Sequence, residues 1–113
     1  MSDSLTASQI RKDGLRITGI EMPIAGGDGS TKDNPIIIED TDPSRSAYWE
    51  HQVVGFIQRM RNENYKFEKA TVEDYDGKTV EQYKLSREGD DEFFYNYYFD
   101  VSLSQAGGKQ CTN

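Results

Sequence analysis

Between Phe93 and Val101 every second residue is aromatic or branched and apolar: Phe93, Tyr95, Tyr97, Phe99 and Val101. Side chains of an extended chain alternate between two faces, so this stretch reads as a strand with one complete core face. A strand so heavily loaded on one side needs partners, and the preceding residues supply them. Thr79–Arg87 reads as a second strand with Tyr83 and Leu85 on one face. Asp76-Gly77 before it is a strong hairpin signal, because two-residue turns need positive φ. Tyr65 to Tyr75 reads as a third strand whose phase changes. Tyr65 and Phe67 are odd positions and Ala70 and Val72 even ones, which a β-bulge explains. Glu88-Gly89-Asp90-Asp91 makes the remaining turn.

Upstream the pattern changes period. Asp42 before Pro43 is a helix start, since Asp accepts from an unsatisfied backbone N–H and proline suits the first helical position. Trp49, Val53, Phe56, Ile57 and Met60 then recur on one helical face. Arg59 and Arg61 suit the negative pole of the helix, and Asn62-Glu63-Asn64 closes it. Gly55 within this helix is out of place by about 1 kcal/mol relative to alanine, and invites close approach by another element. Pro35 to Glu39 is strand-like, and Gly26 to Asn34 is a loop. Leu15, Ile17 and Ile20 predict a short first strand, Leu15–Ile20. Residues 1–13 are expected to form a flexible arm and 103–113 a flexible tail, flanking a single domain over 14–102. The fold class expected is α+β, an antiparallel sheet in the order strand, strand, helix and three-strand meander. One amphipathic helix packs on one face.

Twenty acidic residues against thirteen basic ones give a formal net charge of −7. Nucleic acid is therefore not an expected partner, because phosphate backbones are held by Lys and Arg. No apolar run reaches the roughly 20 residues needed to cross a bilayer as a helix. MSDSLTASQIRKDG has no apolar stretch of signal-peptide length. Cys111 is the single cysteine, which excludes an intramolecular disulfide and suits a reducing compartment. The default expectation is a cytoplasmic protein, unless a signal peptide has been removed.

No catalytic or metal-binding constellation emerges. His51 is the only histidine, Cys111 lies in the polar tail, and neither a nucleophilic triad nor a zinc site can be built from them. Gly26-Gly27-Asp28-Gly29-Ser30-Thr31-Lys32 fails the phosphate-loop pattern, because Lys32 follows Ser30-Thr31 and a strand comes next. It also lacks the ligand spacing of a calcium loop. The acidic groups at Glu39-Asp40-Asp42, Glu73-Asp74-Asp76 and Glu88-Asp90-Asp91-Glu92 flank turns and helix ends, where carboxylates serve the backbone. No cofactor or metal is expected. Phe94 and Tyr98 point to the second face of the last strand. Either a segment of the N-terminal part covers them, or they anchor a partner.

Asp28-Gly29-Ser30, Asn34-Pro35-Ile36-Ile37-Ile38 and Tyr98-Phe99-Asp100-Val101-Ser102 together resemble small bacterial proteins of unassigned function. In those, a DGS loop leads into an apolar strand and helix, and a YFD[IV]S strand ends the domain. The resemblance implies the same element order and no activity. The function expected is a non-catalytic, acidic protein-binding domain, such as an inhibitor or immunity-type protein covering a basic site. Phe94, Tyr98, Glu88, Asp90, Asp91 and Glu92 are its expected contact residues. A homo-oligomeric structural module, a homodimer among the possibilities, and a small carboxylate-and-tyrosine enzyme are the alternatives.

Overall fold

The computed structural model describes residues 6–87 and 89–103. The order is α1 (Ala7–Thr18), β1 (Ile24–Gly26), β2 (Ile36–Ile38), α2 (Pro43–Arg61), β3 (Tyr65–Tyr75), β4 (Lys78–Arg87) and β5 (Asp90–Asp100). The protein is α+β, with a five-stranded sheet in the order β1-β2-β5-β4-β3. Pairing is antiparallel throughout except between β2 and β5, which run parallel, so the sheet is mixed rather than wholly antiparallel.

The meander follows the alternation of its residues. Asp76 and Gly77 take φ values of 51° and 77°, which a two-residue hairpin requires. The phase change in β3 is a register shift between Phe67 and Lys69 that leaves Glu68 as the extra residue. Strand β5 is central. Tyr97, Phe99 and Val101 enter the core with Ile24, Ile36, Ile38, Val53, Ile57 and Leu85. Helix α2 starts as its residues dictate. Asp42 Oδ1 accepts from Ser44 N at 2.9 Å, Pro43 opens the first turn and Asn62 ends the helix in the left-handed region.

The amino-terminal part departs from expectation. Leu15–Ile20 is not a strand. Leu15, Ile17 and Thr18 belong to helix α1, and residues 7–13, expected as an arm, form its first half. The helix is held at both ends. The Thr6 hydroxyl accepts from Gln9 N at 3.2 Å, and Gly19, at φ 78°, donates its N–H to Leu15 O. Its buried stripe, Ala7, Ile10 and Gly14, is made of small or single apolar residues, while Leu15 and Ile17 face outward. The apolar face of α2 is also rotated from expectation. Met60 is exposed, whereas Ser46 and Glu50 are buried beside Val53 and Ile57. Residues 1–5 of the expected arm and 104–113 of the expected tail, including Cys111, lie outside the described residues.

Candidate functional site

The C-terminal end of α1 and the segment after it lie beside the solvent side of α2, and between them runs a groove of about 240 Å³. Ile20 and Met22 form one wall, and Trp49, Gln52 and Phe56 the other. Gly55 opens its floor, and Arg59 and His51 stand at its rim. The groove is smaller than the roughly 300–1,000 Å³ typical of small-molecule sites. It has the scale of a slot for a side chain rather than a cofactor cleft.

Its walls are fixed before anything binds. The Trp49 indole Nε1 donates to Asp40 Oδ2 at 3.0 Å, and the ring meets Tyr48 edge-on at 4.9 Å. Asp40 is itself held by the backbone N–H of Asp42. That bond and the Trp49 bond keep its carboxyl below the usual carboxylate range, so it remains a charged acceptor. Ile20 in its wall is 49% exposed, and Leu15 and Ile17 on the preceding turn of α1 are exposed at 45 and 37%. Glu21, between two wall residues, is mostly exposed and reaches Arg11 only at 4.0 Å.

Gly55 gives the groove its shape. A Cβ built there would meet no atom within 4 Å. The glycine is therefore not required by packing among the described residues, unlike Gly14, whose Cβ would stand 3.2 Å from Met22 Cε.

Of the contact residues expected from the sequence, the two whose side chains are described, Phe94 and Tyr98, lie on the outer face of β5 in different surroundings. Phe94 is 43% exposed, with Lys84 Nζ 4.3 Å from its ring centroid. Tyr98, on the same face, is half-buried beside the loop that links β1 to β2. Its N–H donates to Gly29 O at 2.8 Å. Farther along, the loop reaches β3, where Lys32 pairs with Glu73 at 2.8 Å and the Tyr75 hydroxyl donates to Asp33 at 2.6 Å. The loop is thus a strap across the outer face of the sheet, tied internally by Asp28 Oδ1, which accepts from Ser30 and Asn34. Asn96, bonded to Gln82 at 2.9 Å, separates the two rings. Glu88 and the side chains of Asp90, Asp91 and Glu92 lie outside the described residues.

Two features escaped sequence reading. The groove needs Ile20 next to α2, which becomes visible only once Leu15–Ile17 is helical. Glu50 is fully buried. It stands on the stripe of Val53 and Ile57, at helical spacing, so its position announced burial although its residue type did not. Tyr83 donates to its Oε1 at 3.4 Å, while Oε2 has no hydrogen-bond partner. Burial, then the neighbouring Glu81 carboxyl, push its pKa up to about 10, with the Tyr83 hydroxyl acting the other way. Glu50 is thus a neutral acid at pH 7. Neither Glu50 nor Glu81 lines the groove. Among the described residues no group of three or more His, Cys, Asp or Glu side chains could hold a metal ion, and no helix is long and apolar enough to cross a membrane. No protein-family model, curated protein or solved structure matches the chain.

Proposed function

We propose that this is a non-catalytic protein-binding domain whose groove beside Gly55 receives an apolar side chain of a protein partner. The observation that carries the reading is Gly55 itself. It sits inside a 19-residue helix, where glycine is disfavoured by about 1 kcal/mol relative to alanine, and none of the described residues occupies the space it leaves. An opening that no internal contact uses is explained by an external one.

Its surroundings support this. Contiguous exposed apolar side chains mark interaction sites, and Ile20 and Trp49 meet at this groove. A tryptophan fixed by a charged acceptor is an interface anchor that loses little freedom on binding. The net charge of −7 favours a basic partner, by speeding encounter. An enzyme acting through Glu50 and Tyr83 is the less favoured reading, because a fully buried carboxyl cannot touch a substrate.

Gly55→Ala is expected to stabilise the isolated protein by about 1 kcal/mol in denaturant unfolding, since the added methyl meets nothing. Gly55→Leu is expected to remain folded, fill the groove and lose the partner. The check is capture from source-cell lysate with wild type, Gly55→Leu and a surface variant outside the groove, Lys78→Ala, compared by mass spectrometry. A protein held by wild type and Lys78→Ala but not by Gly55→Leu is the expected result. Equal retention by all three would remove the groove from the function.

A further inference from the structure

We propose that β3 is a self-pairing edge and that two copies of the chain join through it, antiparallel about a two-fold axis at Thr71, into one continuous sheet. β3 is the last strand on the side away from β1, against which α1 packs. Of the groove residues His51 reaches it, its ring 6.0 Å from that of Phe67, before the bulge and outside the stretch that would pair. The pairing would leave a groove open on each copy.

The backbone sets which residues can pair. Tyr75 and Lys78 flank the two-residue Asp76-Gly77 turn and exchange hydrogen bonds across the hairpin. Hydrogen-bonding direction alternates along a strand, so Thr71 and Glu73 also turn their backbone toward β4. Ala70, Val72 and Asp74 turn theirs outward, to the open edge. The bulge at Glu68 limits the regular stretch to Lys69 and the residues after it. An extended edge of this kind is a template for another strand.

Side chains choose the register. With Thr71 facing Thr71, Ala70 of each copy faces Val72 of the other, and both lie at outward-turned backbone positions that can exchange hydrogen bonds. Val72, 56% exposed in the single chain, gains an apolar neighbour. On the opposite face Lys69 stands across from Glu73, twice. Shifting the axis by one residue either way loses this pairing: Lys69 then faces Thr71 or Tyr75. Lys69 has no ion-pair partner among the described residues. Glu73 already receives Lys32, but a carboxylate has room to accept a second cation.

The test uses the full chain. Single cysteines are placed at Ala70, Thr71 or Val72 in a Cys111→Ser background and oxidised mildly. Residues directly opposite at a non-hydrogen-bonded position have Cα atoms about 4.5 Å apart, within disulfide range, whereas diagonal neighbours at about 7–8 Å are not. Thr71→Cys alone is expected to cross-link, and cross-linking at Ala70→Cys or Val72→Cys instead would overturn the register. Sedimentation supplies the second arm. Lys69→Glu and Glu73→Lys each place like charges opposite one another and are expected to weaken self-association by about tenfold. Mixed in equal amounts, the two variants restore both opposite-charge pairs and are expected to form a heterodimer. A wild-type chain that stays monomeric at all accessible concentrations, or a mixture that does not recover association, overturns the proposal.

Discussion

Replacing Glu50 with glutamine is expected to raise folding stability by about 3–4 kcal/mol at pH 7 and to change it little near pH 4. The argument starts from burial. Glu50 is fully enclosed between α2 and the sheet, one of its oxygens has no hydrogen bond, and Glu81 lies beside it. Ionising it there would bury a negative charge beside another carboxyl, with no ion-pair partner for it among the described residues, so the folded protein keeps the proton. In the unfolded chain the same group ionises near the ordinary glutamate value. Folding above that value must therefore bind a proton. The penalty is absent below about pH 4 and grows by about 1.4 kcal/mol for each pH unit above it, until the raised folded-state value is passed. Wild-type stability thus falls as pH rises through neutrality. Glutamine has the same shape without the ionisation, and it can accept from Tyr83 and donate to Glu81. Asp40, Asp42 and Glu63 act in the opposite sense. Their carboxyls are held below the usual range by hydrogen bonds, so their contribution is present at neutral pH and lost only as acid protonates them. Between pH 5 and 8 they are constant and the slope belongs to Glu50. Urea unfolding of both proteins at several pH values within that window checks this. Parallel stability curves, offset by the same amount at every pH, would mean that Glu50 is ionised in the folded chain.

What could be read from the residues, and what could not, divides by range. The meander was legible because its information is local. Alternation in β5, Asp76-Gly77 and the phase change in β3 each specify backbone within a few residues. Helix α2 was legible at its start, where Asp42 and Pro43 act on adjacent backbone, but less so in its face, because Glu50 is a charged type in a core position. Helix α1 was misread for a physical reason. Leu15 and Ile17, two of its three large apolar residues, are exposed, and its buried stripe includes Gly14 and Ala7, which give little hydrophobic signal. The signs that outweigh the false alternation were the caps: Thr6 three residues before Gln9, and Gly19 at the end. The parallel pairing of β2 with β5 joins residues more than 60 positions apart and leaves no local trace. The groove inherits both limits. Gly55 stood out as an anomaly, yet its meaning depended on Ile20, and Ile20 could be placed only with α1.

Gly27→Ala is expected to destabilise the protein by about 3 kcal/mol, a size reached when a well-packed site must take an extra carbon against backbone. The effect is steric rather than conformational, because Gly27, unlike Gly26 at φ 91°, is not in the left-handed region. Its Cβ would overlap the Asn34 side chain and stand 2.6 Å from the Asn34 backbone oxygen. The side chain can be moved, but the backbone cannot without breaking what surrounds it. Gly27 donates to Pro35 O at 2.9 Å, and its own carbonyl accepts from Ala7 N at 2.8 Å, the first residue of α1. One extra methyl group therefore strains the base of the strap and the seat of the helix that forms a groove wall. Asn34→Ala alone is expected to be milder, at about 1 kcal/mol, because it loses only the exposed bond to Asp28. The double variant should be more stable than the sum of the two losses implies, since the second change removes the side-chain atoms the first one strikes and leaves only the clash with the backbone oxygen. Denaturant midpoints of the four proteins measure that coupling. Strict additivity would mean that the Asn34 side chain plays no part and that its backbone oxygen alone requires glycine at position 27. Strong coupling would identify the junction of strap and α1 as the place where one small residue holds two elements together.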